Sequence, residues 1–166
     1  MTELVFALGA NLGDPYATLC RALRLLAAHD EWELKAVSSA WATDPVGGPE
    51  GQPSYLNAVG LAQVPFDERT TLGLFHVVEE ACGRVRGERW GPRTLDLDLI
   101  VFGDVVSDNP SLTLPHPRAA ERAFVLVPWL SLDPSAVLPG HGRVADLVAA
   151  LPPEDVAAVA RWEQLA

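Results

Sequence analysis

Long apolar stretches are missing from this chain of 166 residues. The longest apolar runs, such as Ala123 to Leu130, fall far short of the roughly 20 residues that a membrane-spanning helix needs. The N-terminus has no signal-peptide pattern either, because no apolar core follows a basic start. We therefore expect a cytoplasmic protein that does not interact with membranes.

Cysteine is scarce, since only Cys20 and Cys82 occur. Both lie within patterns of helical spacing. Two such residues are more typical of buried thiols than of a disulfide or a metal site.

Positive charge is also in short supply: 12 basic residues stand against 22 acidic ones, with a net charge of −10 and a pI near 4.7. A general nucleic-acid or anionic-membrane binder would need a basic face, so this composition argues against both. Six of the basic residues, all arginine, nevertheless lie between Arg84 and Arg122. They are either dispersed over the surface or form a local patch, which would suit a small polyanion such as ATP.

The length and a hydrophobic content of 49% predict one globular domain over residues 1–166. The periodicities predict a strand–helix–strand–strand–helix–strand order. That order is the ferredoxin-like α+β arrangement, an antiparallel sheet with helices packed on one face, here with extra C-terminal elements. The predicted strands cover residues 3–9, 32–42, 56–61 and 95–102. The predicted helices start after the caps Asp14 and Asp67.

The stretch from Arg84 to Phe102, RVRGERWGPRTLDLDLIVF, changes character halfway. Its second half alternates leucines with Asp96 and Asp98, so the two aspartates share one face of a strand. Residues two apart on one face lie roughly 6.5–7 Å apart, close enough for their carboxylates to hold one hard cation or to bridge a pair. The alternative is the solvated face of a half-exposed strand.

Two features favour the cation. Aspartate is disfavoured in strands, and like charges on one face repel each other unless something compensates them. An arginine cluster also lies directly upstream. Carboxylates for a metal beside guanidinium groups for phosphate are the equipment of phosphoryl transfer from a nucleotide.

The same stretch resembles the signature of the 6-hydroxymethyl-7,8-dihydropterin pyrophosphokinases, enzymes of folate biosynthesis. The resemblance extends over roughly residues 4–130 in four blocks. They are the opening GANLG, the loop from Thr43 to Asn57, the stretch from Arg84 to Asp98, and PHPR followed by ER and Phe124. The chain departs from the common pattern with Asp44 between Thr43 and Pro45. It also has Ser111 where some members carry an arginine.

The resemblance implies a transferase, a 2-amino-4-hydroxy-6-hydroxymethyldihydropteridine diphosphokinase, that moves pyrophosphate from ATP to the pterin hydroxymethyl group and releases AMP. It also implies a monomer with two Mg²⁺ ions held by Asp96 and Asp98. The implied catalytic residues are Arg84, Arg93, Asp96 and Asp98. The implied pterin-binding residues are Thr43, Pro45, Val46, Tyr55, Asn57, Trp90 and Phe124. The implied ATP-binding residues are Glu79, Arg84, Arg86, Trp90, Arg93, Ile100, Thr113, His116 and Arg122.

Two alternatives belong to other functional classes. Another Mg²⁺-dependent nucleotide hydrolase or nucleotidyltransferase could use the same pair of aspartates. A ferredoxin-like RNA-binding module would need aromatic side chains on the open sheet and a positive net charge, and the acidic composition disfavours it.

Overall fold

The computed structural model describes residues 1–43, 55–83 and 94–165. The elements before the predicted site stretch are β1 (Thr2–Ala10), α1 (Pro15–Ala27), β2 (Glu33–Val37), β3 (Ser39–Thr43), β4 (Tyr55–Val64) and α2 (Glu68–Ala81). The elements from it onwards are β5 (Asp96–Phe102), β6 (Ser107–Asn109), β7 (Leu112–Leu114), a 3₁₀ turn (Ala119–Glu121), α3 (Ala123–Leu132), β8 (Val137–Leu138), β9 (Gly142–Arg143), α4 (Val144–Ala150), α5 (Pro153–Ala157) and β10 (Val159–Gln164).

Both predicted helix caps are confirmed. The Asp14 carboxylate accepts a hydrogen bond from the Ala17 N–H at 3.1 Å, and Pro15 fills the first helical position of α1. Asp67 accepts a hydrogen bond from the Thr70 N–H at 2.8 Å. That bond stabilises the ionised form and lowers the pKa of Asp67.

The main sheet is antiparallel, with strands in the order β10, β3, β4, β1, β5, and β2 also pairs with β4. The prediction of an antiparallel sheet with packed helices is therefore confirmed. The prediction of one continuous strand over residues 32–42 is wrong, because the strand is interrupted at Ser38 and divides into β2 and β3. The Ser38 hydroxyl accepts a hydrogen bond from the Val59 N–H at 3.0 Å and donates one to the Ser39 carbonyl at 2.8 Å. Both β2 and β3 pair with β4, and the register along β4 shifts by one residue between them.

The two predicted helices, α1 and α2, pack on one face of the sheet, and a third helix, α3, covers the other face. On one face, α1 and α2 bury side chains such as Leu23 and Phe75 against Phe6 of β1. On the other, which we call the α3 face, Trp129 of α3 packs in the same cluster as Val59. The sequence does not predict α3 because the helix is apolar on all sides, with Pro128 inside it, and so carries no amphipathic period.

The C-terminal segment adds a strand to the sheet. The residues Val156–Trp162 comprise the end of α5 and the start of β10. β10 pairs with β3 and lengthens the sheet at that edge. A turn follows β5, with the Val105 N–H donating to the Phe102 carbonyl at 2.9 Å, and β6 pairs with β7.

Two expectations from composition can be compared with this fold. Cys20 and Cys82 are both free and buried, as predicted, and burial raises the pKa of the Cys82 thiol. Among the described residues, no helix combines the length and apolar character needed to cross a membrane.

The packing of Phe6 against β4 supports a matched pair of glycine substitutions. A Cβ atom on Gly60 would lie 2.4 Å from the Phe6 ring, whereas a Cβ on Gly73, exposed on α2, would meet nothing within 4 Å. We expect Gly60→Ala to lower the free energy of unfolding by about 1–3 kcal/mol through overpacking. Gly73→Ala should raise it by about 0.4–1 kcal/mol, because alanine favours the helix. Urea titrations of both variants measure this, and equal stabilities would contradict it.

Candidate active site

The register of the sheet brings the predicted site residues together. Asn57 on β4 lies opposite Gly9 on β1, and Gly9 lies opposite Asp96 on β5. Directly opposed residues point to the same face, so Asn57 and Asp96 share the α3 face, about 10 Å apart across two strand spacings. We call Asn57, Gly9 and Asp96 the site row. The next row on this face holds Ala7 and Asp98.

A cavity of about 410 Å³ opens over these rows. It is lined by Ala7, Leu8, Gly9, Thr43, Tyr55, Asn57, Asp96, Asp98, Arg122 and Phe124. Helix α3 covers the sheet beside it, and its first residues, preceded by Arg122, form one wall. The structure therefore brings four predicted pterin-binding residues into the same cavity as both aspartates.

The polar and aromatic groups of this cavity are arranged for a flat ligand. Asn57 is only 8% exposed, and its Nδ2 donates to Thr43 Oγ1 over 3.4 Å. Tyr55 is 40% exposed and Phe124 lies partly buried, with the Arg122 guanidinium 5.4 Å from the Phe124 ring centre. Two accessible aromatic rings beside a buried amide can hold a planar heterocycle by its faces and one polar edge.

A second cavity, of about 220 Å³, adjoins the first. It is lined by Leu72, Leu97, Asp98, Leu99, Pro110, Ser111, Leu112, Thr113, His116 and Pro117. Two predicted ATP-binding residues, Thr113 and His116, therefore meet there. Asp98 lines both cavities, so the two cavities meet at a carboxylate.

His116 is held in a defined tautomer. Its backbone N–H donates to the Ile100 carbonyl at 2.9 Å, and its Nδ1 accepts a hydrogen bond from the Arg118 N–H at 3.2 Å. Burial lowers the pKa of His116. The Asp98 carboxylate opposes this shift, and the cations Arg122 and Arg118 add to it. The neutral ring then carries its proton on Nε2, where it can donate to an anionic ligand.

Two other predicted ATP-binding residues lie away from the cavity linings. Glu79 on α2 is 3% exposed, and its Oε2 accepts a hydrogen bond from the Leu97 N–H at 3.1 Å. Leu97 stands between the two aspartates, so Glu79 anchors the strand that carries them. The Ile100 side chain is buried in the cluster on the α3 face, and its carbonyl accepts the hydrogen bond from His116. An ATP contact by either residue stays a prediction.

Several predicted site residues lie outside the described residues. They are Pro45, Val46, Arg84, Arg86, Trp90 and Arg93. Conversely, the cavity contains residues that the sequence reasoning missed, above all Gly9. A Cβ atom on Gly9 would lie 2.9 Å from Asn57 Oδ1, so glycine leaves the space that this amide occupies. Gly9 is the last residue of the predicted strand over residues 3–9, and the strand register that gives it this role is not visible locally.

The donor set suits Mg²⁺. Asp96 and Asp98 provide hard oxygen donors two residues apart on one face of β5. Within the ranges that the structure describes, no group of three or more His, Cys, Asp or Glu side chains is placed to hold a metal. Mg²⁺ commonly uses only one or two carboxylates and takes its other ligands from substrate phosphates and water. The residues present therefore fit a metal that binds together with a nucleotide.

Two cavities that meet at Asp98, one of a pair of neighbouring carboxylates, with Arg122 at one wall, suit an enzyme that transfers phosphoryl groups with the help of a divalent cation. The comparison with known families is more specific. Residues 5–134 match the family of 7,8-dihydro-6-hydroxymethylpterin-pyrophosphokinases (HPPK), and the chain belongs to that family.

Curated relatives agree along most of the chain. It is 44% identical over 168 residues to the 2-amino-4-hydroxy-6-hydroxymethyldihydropteridine pyrophosphokinase of Mycobacterium tuberculosis (strain H37Rv), covering 93% of this chain and 87% of that one. It is 39% identical over 150 residues to the Pseudomonas aeruginosa protein of the same name, covering 90% and 92%.

Solved structures share the fold. A crystal structure of wild-type Plasmodium falciparum HPPK-DHPS superimposes with a TM-score of 0.70 at 12% identity. The match covers 89% of this chain and 43% of that one, so the present chain corresponds to less than half of that protein.

The contact beneath β5 predicts that Glu79 contributes to stability. We expect Glu79→Ala to lower the free energy of unfolding by about 1–3 kcal/mol, because it leaves the buried Leu97 N–H without its acceptor. Glu79→Gln should lose less, since its amide oxygen can still accept that hydrogen bond. Chemical denaturation compares the two variants. An alanine variant as stable as the wild type would contradict the role of this hydrogen bond.

The charged groups around His116 predict how its pKa changes when Asp98 or Arg122 is replaced. In the metal-free protein, its pKa should lie below the usual value of about 6.5. Because Asp98 favours the imidazolium, Asp98→Asn should lower the pKa further, whereas Arg122→Ala should raise it. An NMR titration of the His116 ring protons measures all three values. A rise in Asp98→Asn would show that the two groups do not interact as the structure places them.

Proposed function

We propose that this protein transfers a pyrophosphoryl group from ATP to the hydroxymethyl group of 6-hydroxymethyl-7,8-dihydropterin in folate biosynthesis, releasing AMP. Membership of the HPPK family supports the activity. The observation that supports the location is the meeting of two cavities at Asp98. The pterin occupies the larger cavity and the nucleotide the smaller one, so the acceptor hydroxyl and the phosphates meet beside the paired aspartates.

The pterin lies between the Tyr55 and Phe124 rings, with its polar edge on Asn57 and Thr43. Pro45, Val46 and Trp90 complete the pocket by the resemblance of their motifs to those of the family. A buried amide that reads a polar edge rejects analogues without the matching groups, because its own polar atoms would then be left unpaired.

The nucleotide lies along the smaller cavity. His116 donates from Nε2 to a phosphate oxygen, beside Thr113, and Arg122 supplies positive charge at the wall between the two substrates. Arg84, Arg86 and Arg93 add positive charge by resemblance, and Glu79 and Ile100 complete the nucleotide site in the same way. In an acidic protein, this local positive charge attracts a nucleotide without making the whole surface basic.

In the transfer itself, the hydroxyl oxygen of the pterin attacks the β-phosphorus of ATP in line. The new O–P bond forms as the bond from the β-phosphorus to the bridging oxygen breaks, AMP leaves with that electron pair, and the hydroxyl proton is released. The protein contributes chiefly position and compensating charge. Asp96 and Asp98 would hold the two Mg²⁺ ions, which would supply positive charge to neutralise the phosphates.

The organisation of the protein completes the proposal. Residues 1–166 form one domain, which acts as a monomer in the cytoplasm. The strand order β5, β1, β4, β3, with α1 and α2 on one face, supports a ferredoxin-like core to which α3, α4 and β10 are added. With helices on both faces, the sheet has little of the open aromatic surface that an RNA-binding module needs.

One assay separates this function from that of another Mg²⁺-dependent nucleotide hydrolase or nucleotidyltransferase. AMP release from ATP should require the dihydropterin and should match the amount of pterin pyrophosphate formed. A hydrolase would release a nucleotide product at the same rate without the pterin, and that result would overturn the proposal.

The paired aspartates provide the sharpest mutational test. We expect Asp96→Asn and Asp98→Asn each to lower kcat at least about 100-fold, the scale for losing a group that stabilises charge in the transition state. Stability should stay unchanged or rise slightly, because like-charge repulsion is relieved. Asp104→Asn, which makes the same change in the exposed turn after β5, should keep wild-type kcat. Near wild-type turnover in either site variant at saturating Mg²⁺ would refute the metal assignment.

A further inference from the structure

The site row continues beyond the cavity to the C-terminal strand. Trp41 on β3 lies opposite Asn57, and Arg161 on β10 lies opposite Trp41. These directly opposed residues all point to the α3 face. A single row therefore runs across five strands: Arg161, Trp41, Asn57, Gly9 and Asp96.

Among the described residues, hydrogen bonds hold the Asn57 amide only loosely. Its one described side-chain hydrogen bond, to Thr43 Oγ1, is long at 3.4 Å. On the other side, Oδ1 lies above Gly9, which has no side chain to restrain it. The orientation of the amide therefore depends on what packs against it from β3, and Trp41 is the residue directly opposite.

Trp41 in turn is positioned by packing. Its indole Nε1 is buried and has no hydrogen-bond partner in the described part of the chain. The Arg161 guanidinium lies 5.2 Å from the Trp41 ring centre, within the range of a cation–π contact. Among the described residues, the stack with Arg161 is therefore the directional contact on this ring.

The strand that carries Arg161 is itself tied down. The Gln164 carbonyl accepts a hydrogen bond from the Tyr16 hydroxyl at 2.7 Å. The Gln164 side chain accepts another from Ser39 Oγ at 3.1 Å. β10 is thereby fixed to α1 and β3, and Arg161 is presented from a rigid element.

We propose that Arg161 and Trp41 are positioning residues for the pterin: the guanidinium holds the indole against Asn57 and so orients the amide that reads the polar edge of the substrate. This inference rests on the proposed function. It assigns the C-terminal strand a part in substrate recognition, although none of its residues lines the cavity. The effect is on pterin binding and leaves the nucleotide site, on the other side of Asp98, unchanged.

Steady-state kinetics test the proposal by comparing the change in KM for the dihydropterin with the change in KM for ATP. Arg161→Ala should raise KM for the dihydropterin about two- to tenfold, the range that a cation–π contact supports. KM for ATP and kcat should stay within about twofold of wild type. Arg161→Lys keeps a cation over the ring and should restore part of the effect. Trp41→Phe, which keeps an aromatic ring, should be milder than Trp41→Leu.

Trp162→Ala is the matched control. Trp162 is the next residue on β10 and is 57% exposed, so its loss perturbs the same strand while Arg161 and Trp41 stay in place. It should leave both KM values unchanged. The proposal would be overturned if Arg161→Ala raised both KM values equally, or if Trp162→Ala caused the same change as Arg161→Ala. Either result would show that β10 only stabilises the protein in general.

A second measurement is independent of catalysis. The Asn57 side-chain NH₂ resonances, assigned by their loss in Asn57→Asp, report the amide orientation in the ligand-free protein. Arg161→Ala should shift or broaden them, and Arg161→Lys should move them back towards wild type. Unchanged resonances would overturn the positioning role even if the enzyme is active. If the wild type makes no pterin pyrophosphate, the proposed function fails while this measurement still decides whether Arg161 orients Asn57.

Discussion

The site depends on the antiparallel pairing of β1 with β4 on one side and with β5 on the other. This register places Asn57, Gly9 and Asp96 in one row, although they lie far apart in the chain. A shift of one residue in either pairing would send one of these side chains to the opposite face, into the core beneath α1 and α2. The leucines that alternate with the aspartates oppose such a shift, because it would expose them to solvent.

The second constraint is incomplete coverage of the sheet. The α1 and α2 face carries the larger buried cluster, whereas α3 covers only part of the other face and leaves the end rows open. Burying polar groups such as Asn57 and the paired aspartates under a helix would cost free energy, and these groups occupy the open rows instead. The helix that closes the core therefore also shapes the cavity, and Arg122 and Phe124 at its start become a wall of the site.

Support from outside the cavity links stability to function. Glu79 anchors the β5 backbone between the aspartates, and the proposed stack of Arg161 on Trp41 acts on Asn57 from the other end of the row. Both contacts orient groups that would otherwise be held by few bonds. Neither Arg161 nor Trp41 lines the cavity, so patterns of site residues do not include them.

The sequence by itself determined the local features: the caps at Asp14 and Asp67, the strand that alternates Leu97 with the aspartates, and the motifs that place the chain in its family. Periodicity and capping depend on near neighbours, so they can be predicted residue by residue. Only the tertiary structure decided that α3 covers the second face, that Ser38 divides a predicted strand, and that β10 extends the sheet. The part that Gly9 plays likewise follows from non-local packing, which no local pattern encodes.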